Sequence, residues 1–434
     1  MISPVYATIG RTRDRMRFYD IVILASLLWF MIQFFRFSFP PLFDTFQTEF
    51  GVSNTATGLL FSVLMLCYSI SQFPTGVLSD SYGKIEVITI SMVGLSIGAL
   101  LVVISPTFVL ITVAAGVIGA MSGAHKTIAV PLLSNQYKTQ TGFALGLFET
   151  IGQLGGAVAP LVVIALFALI LPWQTIFVLS ATVCLVLSWL FYRRVRQKMT
   201  AQPSEYAAGD EPVESVDERF ESSDAEAATE PSQSMIQQYV GAMRNTRLVI
   251  FVLATIGFTF TWNGVSSFLP LFLLTEGNLS ATLAGVVYSL VFVTSFGQIV
   301  TGDLSDRVGR VPLSLVLVVI VIAAITILLV FDGFVILIVA TIMLGIGLHG
   351  FRPVRDAYFV ELMPADIEAG LFGFLRMIKT SVGAIAPIFV GYVSDVANFT
   401  YAFGGLLFMS VFSFVCLTVL LVGSSTMPTD EQTA

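Results

Sequence analysis

Few side chains in this sequence carry charge, and several of those sit inside long apolar runs. Arg36 lies in a run rich in Phe, His125 and Lys126 lie in another, and His349, Arg352 and Arg355 lie in a third. Glu149, Arg376 and Lys379 are similarly enclosed. An ionisable group in the middle of a membrane costs about 2.5–3.5 kcal/mol, so each needs a purpose. Cations dominate: Arg36, Lys126, Arg352, Arg376 and Lys379 stand against Glu149. That balance suits the binding of an anion, with arginine offering a planar fork to a carboxylate. Covalent chemistry is disfavoured, because the sequence has two histidines, no metal-spaced cluster, no nucleophile elbow and no phosphate loop. No cofactor or metal is therefore expected, and the chain does not read as an enzyme. Cys67, Cys184 and Cys416 lie in apolar runs and read as small buried hydrophobes.

The elements that must hold these charges are membrane spans. Of 434 residues, 56% are hydrophobic and 11% charged, with a mean hydropathy of +0.89. A soluble domain carries about 25% charged residues. Twelve apolar runs fall near 19–43, 56–78, 86–105, 108–131, 142–170, 173–192, 248–273, 282–303, 312–331, 334–353, 370–393 and 401–423. Each reaches the roughly 20 residues a spanning helix needs. The runs are continuously apolar, not alternating, which excludes a barrel. The first run lacks a small-residue cleavage site and reads as a retained span.

Loop charge sets the expected orientation. The loops 44–55, 106–107, 171–172, 274–281, 332–333 and 394–400 contain no Lys or Arg. The opposite loops hold Lys84, Lys138, Arg193, Arg194, Arg196, Lys198, Arg307 and Arg310. This bias predicts a multi-pass protein of the plasma membrane with both termini cytoplasmic. Residues 199–234 are rich in Glu, Asp, Ser, Ala and Pro, with ten acids between Glu205 and Glu230. They read as a disordered cytoplasmic linker, followed at 235–247 by a short interfacial helix. The acids of this linker account for the net charge of -7, and no basic domain exists to bind nucleic acid. The expected organisation is an N-terminal six-helix bundle (1–198), the linker with its helix (199–247) and a C-terminal six-helix bundle (248–434).

The two halves repeat. Gly76–Lys84 reads GVLSDSYGK, and 226 residues later Gly302–Arg310 reads GDLSDRVGR. Gln72 matches Gln298, Gly119 matches Gly345, and Lys126 matches Arg352. Gly156-Ala-Val-Ala-Pro160 matches Gly383-Ala-Ile-Ala-Pro387. A sequence duplicated at such a period is one unit used twice. Gly76 and Gly302 are expected where helix backbones approach closely, Gly83 and Gly309 at tight reversals. Asp80 and Asp306 end the second and eighth spans, where a carboxylate can meet a helix N-terminus or a cation.

On these residues the sequence resembles the major facilitator superfamily over essentially its whole length. The sharpest match is the loop Gly76, Asp80, Gly83, Lys84 and its copy Gly302, Asp306, Gly309, Arg310. The resemblance implies an all-α integral membrane fold, with twelve transmembrane helices in two pseudo-symmetric six-helix bundles that rock about a central site. It implies that spans one, four, seven and ten line that site. Lys126, His349 and Arg352 would then reach the substrate, with Arg36, Trp262 and Asn263 beside them. It also makes the loop carboxylates and cations, Asp80, Lys84, Asp306 and Arg310, a latch between the bundles. Glu149, Arg376 and Lys379 suit coupling or gating, and a Glu149–Arg376 pair would close the inner side.

Two points stay open at this level. Arg36 lies roughly 25 Å along the first span, where it either contacts substrate or reaches outer headgroups or Asp44. Gly146, Gly155 and Pro160 fit the spacing of the antiporter motif of drug-exporting members. Ala159, Val163 and Ile164 depart from it, and helix packing explains the glycines as well. The expected function is secondary active transport of a small, organic anion, coupled to a proton or sodium gradient, by a monomer in a lipid bilayer. The alternative is a proton-coupled multidrug exporter of lipophilic compounds.

Overall fold

A computed structural model describes residues 20–137, 140–201, 241, 244–363 and 368–425. The basic segment around Arg11–Arg17, nearly all of the 199–234 linker and most of the 235–247 interfacial helix lie outside the described residues. Among the described residues, twelve helices or helix pairs are long and apolar enough to cross a bilayer. In hydrocarbon every backbone N–H and C=O needs an internal partner, and continuous apolar runs meet that demand only as helices.

The helices follow in order: α1 (Asp20–Ser38), α2 (Phe43–Phe50), α3 (Asn54–Tyr82), α4 (Lys84–Ile104), α5 (Phe108–Gln136), α6 (Thr141–Ala168) and α7 (Gln174–Ala201). After the linker come α8 (Thr246–Thr275), α9 (Ala281–Val293), α10 (Gly297–Val308), α11 (Arg310–Val330) and α12 (Phe334–Leu362). Then follow α13 (Glu368–Gly383), α14 (Ala386–Val396) and α15 (Phe399–Ser425). Spans one, eight and eleven are each built from two helices, α1/α2, α9/α10 and α13/α14.

The chain divides into two compact units. One comprises Met1–Leu42 and Cys67–Tyr206, the other Phe43–Leu66 and Ala207–Ala434. Residues 43–66 thus group with the second unit although they precede the linker. The cause is local. The Asp395 carboxylate accepts from the Asn54 and Thr55 N–H groups at 3.0 and 2.7 Å, capping the N-terminus of α3. Ser62 Oγ accepts from the Ile388 N–H at 3.0 Å. A methyl built on Gly58 would lie 2.4 Å from the Pro387 carbonyl oxygen.

Each unit uses the same packing plan. In the first, α1 lies against α6 and α7, and α4 against α5 and α7. In the second, α8 lies against α13 and α15, and α11 against α12 and α15. Aromatic rings fill the second unit, with Phe258 stacked on Phe351 at 4.1 Å and Phe272 on Phe403 at 4.3 Å. Many buried hydroxyls bond back within their own helices, as Ser26 does on the Val22 carbonyl and Thr255 on the Phe251 carbonyl.

Both glycines expected at reversals sit there. Gly83 has φ +94° and precedes α4; Gly309 has φ +95° and precedes α11. The left-handed region strains any residue with a Cβ, so the turn requires glycine. The expectation for Gly76 and Gly302 is corrected: a methyl on either would meet its nearest atom at 3.6 or 3.9 Å, an ordinary contact. Close approach occurs elsewhere. A methyl on Gly155 would lie 2.1 Å from the Phe30 carbonyl oxygen, and one on Gly345 2.2 Å from Thr294 Oγ1. The loop glycines repeat for the turn and the helix glycines for packing, and sequence spacing alone did not separate the two uses.

Candidate functional site

Both units carry one arrangement: a tryptophan from the first helix, with a histidine and a cation side by side on the helix of the fourth or tenth span. In the first unit Trp29 of α1 stacks near His125 of α5, ring centres 6.4 Å apart, and near Phe148 of α6 at 6.1 Å. Lys126 Nζ lies 5.4 Å from the Trp29 ring centre. His125 is fully buried, and its Nε2 lies 2.9 Å from the Ala25 carbonyl oxygen. A carbonyl only accepts, so Nε2 carries the proton and Nδ1 is left as an acceptor. Gln33 donates through Nε2 to Gln153 Oε1 at 3.1 Å.

Glu149 of α6 forms an ion pair with Lys126. Lys126 was expected to face an anion, but it is partnered by a carboxylate of its own unit. Arg36 is 8% exposed, and its guanidinium lies 4.1 Å from the centre of the Tyr68 ring. That cation–π contact supplies a partner within the protein that neither reading of the sequence included.

In the second unit Trp262 of α8 meets His349 of α12 edge to face at 4.9 Å, and both touch Phe292 of α9 at 6.1 and 6.0 Å. The Arg352 guanidinium lies 4.4 Å from the Trp262 ring centre. His349 has no solvent exposure, and neither ring nitrogen has a hydrogen-bond partner among the described residues. Asn263 is 1% exposed and its Nδ2 is likewise without a partner there. Leaving one buried donor or acceptor unsatisfied costs about 1–3 kcal/mol. Such groups point to a ligand or ordered water.

A second cluster of charge surrounds Asp356 of α12. Its carboxylate takes Arg355 Nε at 2.7 Å and Lys379 Nζ of α13 at 3.5 Å. Arg376, one turn before Lys379, acts on the same carboxylate. Lys379 is 4% exposed and also lies 5.5 Å from the Phe359 ring centre. Three cations thus share one acid. At the second loop copy Arg310 holds Asp306 at 3.4 Å and Glu361 at 2.5 Å. This binds the α10–α11 turn to the end of α12. The side chain of Asp80 lies outside the described residues, and Lys84 begins α4.

Sequence comparison fixes the family. The family model described as Major Facilitator Superfamily matches residues 25–320 and 251–433. The chain belongs to the Major Facilitator Superfamily. It is therefore a multi-pass membrane transporter and not an enzyme. Superfamily relatives include a probable 4-methylmuconolactone transporter of Cupriavidus pinatubonensis, 24% identical over 384 residues, covering 86% of this chain and 82% of that protein. A hexuronate transporter of Bacillus subtilis is 23% identical over 379 residues, covering 83% and 85%. Among solved superfamily folds, a bacterial homologue of the human lysosomal transporter Spinster matches with a TM-score of 0.72 at 13% identity, over 94% of this chain and 97% of that one. That likeness concerns the fold alone.

Within the superfamily fold, sequence reasoning missed Trp29, Gln33, Phe148 and Phe292. Trp29 and Trp262 are 233 residues apart, whereas Lys126 and Arg352 are 226 apart. The seven extra residues are about two helical turns, so the ring keeps its helix face but leaves the constant offset. A search that allowed whole-turn shifts would have paired them.

Proposed function

We propose that this transporter moves a small organic anion across the plasma membrane, with both termini in the cytoplasm and with coupling to a proton or sodium gradient. The observation that carries this reading is the Arg352 guanidinium over the Trp262 ring, with His349 in edge contact with that ring and Asn263 next in sequence to Trp262; His349 and Asn263 are deeply buried, with polar atoms that lack partners among the described residues. A guanidinium is planar and forked, which suits bidentate binding of a carboxylate. The excess of Arg355, Arg376 and Lys379 over Asp356 raises the local positive potential further. Two relatives favour the same class, since hexuronates are carboxylates and a methylmuconolactone carries one.

Arg352, His349, Trp262 and Asn263 form the substrate contacts of this reading. Lys126 with Glu149 becomes a charge pair that can break and reform during the cycle, and Arg376 and Lys379 serve gating through Asp356. Uptake of radiolabelled hexuronate and other small carboxylates into proteoliposomes, with imposed proton or sodium gradients, tests the proposal. Carboxylate uptake that is lost in Arg352→Gln supports it. Gradient-driven movement of lipophilic dyes with no carboxylate uptake supports the exporter instead.

A further inference from the structure

The hydrogen-bonding groups of the second unit call for more than a negative charge. Resting on the organic-anion reading above, we infer that the transported anion also carries at least one hydroxyl group, bound beside Asn263 at the break between α13 and α14.

A carboxylate has only acceptors, and Arg352 offers only donors, so those two satisfy each other. The neighbouring groups are mixed. Asn263 presents an N–H donor without a partner among the described residues. The two nitrogens of His349 are in the same position, and a neutral imidazole has one donor and one acceptor.

The eleventh span adds acceptors. It stops being helical between Gly383 and Ala386. In a continuous helix the Gly383 carbonyl would receive the N–H of residue 387, but Pro387 has none. The Ala384 carbonyl would receive the Ile388 N–H, which goes instead to Ser62 Oγ at 3.0 Å. Both carbonyls thereby lose their ordinary helical donors. The break adjoins the amide: a methyl built on Gly383 would lie 2.7 Å from Asn263 Nδ2. Irregular backbone at membrane depth is tolerated where it lines a site, and broken helices mark binding positions in transporters.

A carboxylate cannot donate to those carbonyls; a hydroxyl both donates and accepts. A hydroxyl seated here takes the Asn263 N–H and gives its single hydrogen to one of the two carbonyls at the break between α13 and α14. The ligand class is thus a hydroxylated carboxylate, with the carboxylate on Arg352 and its apolar face on Trp262. The same mix recurs in the first unit, where Gln33 Oε1 and His125 Nδ1 are acceptors, and Trp29 Nε1 a donor, without partners among the described residues.

The test titrates the purified full-length protein in detergent with matched acids and follows thermal stabilisation. The pairs are D-glucuronate against cyclohexanecarboxylate, and mandelate against phenylacetate. The hydroxylated member of a pair is expected to act at a concentration at least ~10-fold lower, because a site built around a hydroxyl rejects the analogue lacking it. Asn263→Leu should narrow the gap, and Arg352→Gln should remove the response to both members. Equal or stronger binding of the acids lacking hydroxyl overturns this inference and leaves the anion reading standing. A gap unchanged in Asn263→Leu overturns the assignment to the helix break. Stabilisation by none of the four acids overturns the anion reading and this inference together.

Discussion

The guanidinium of Arg352 lies 4.4 Å from the centre of the Trp262 ring, with His349 in edge contact with the same indole at 4.9 Å. This sets an intramembrane cation over an aromatic face. Arginine and lysine differ at such a position, because only the guanidinium is planar and forked. Arg352→Lys is expected to keep the fold and lower the rate of anion uptake by roughly tenfold, the loss of about 1.4 kcal/mol of stacking and bidentate contact. Trp262→Leu should do the same through the apparent affinity. Initial-rate uptake across a range of substrate concentrations measures both.

Lys126 and Glu149 form a partly buried ion pair within the first unit. Removing one partner takes the ion-pair attraction away from the other. Glu149→Gln and Lys126→Gln should each lower the melting temperature, and the double variant should melt higher than the sum of the single losses predicts. A coupling of about 1 kcal/mol is expected from a pair with this exposure. Thermal melts of the four proteins in one detergent provide the cycle.

Two glycines of α6 should respond oppositely to alanine. Gly155 abuts the Phe30 carbonyl so closely that a methyl would fall 2.1 Å away, while Gly146 has no atom within 4 Å of that position. Gly155→Ala forces α1 and α6 apart, costing on the order of 1–3 kcal/mol and much of the folded yield. Gly146→Ala should be neutral or stabilising by up to about 1 kcal/mol, because alanine favours the helix. Folded yield by size-exclusion chromatography separates them.

The loop repeat offers a similar contrast. Gly309 has φ +95°, whereas a methyl on Gly302 would meet nothing closer than 3.9 Å. Gly309→Ala should destabilise by about 1–2 kcal/mol and Gly302→Ala hardly at all. Melting temperatures of the two variants check this.

Much of the fold was readable because a bilayer permits so little: continuous apolar runs must be helices, and the duplicated loop fixed where the halves correspond. The limits are physical. Gly156–Pro160 and Gly383–Pro387 share the pattern Gly-Ala-x-Ala-Pro, yet α6 runs unbroken through the first and the eleventh span breaks at the second. Proline removes one helical donor in both, but only in the second does a distant hydroxyl, Ser62, draw off the next N–H. No local pattern contains that contact. Glu149 posed the same difficulty. Sequence placed Arg376 at an equivalent depth in the other half and offered it as a partner, and the fold also sets Lys126 of α5 against the carboxylate. The cations themselves were legible, because a charge in an apolar run is conspicuous; their partners were not.

The most direct test of the central claim is uptake of a labelled small carboxylate into proteoliposomes by the wild-type protein and by Arg352→Gln, with equal amounts of folded protein confirmed in each preparation. Saturable uptake by the wild type, inhibited by other carboxylates, is expected, with none above background for the variant. Wild-type uptake that persists unchanged in Arg352→Gln would contradict that claim.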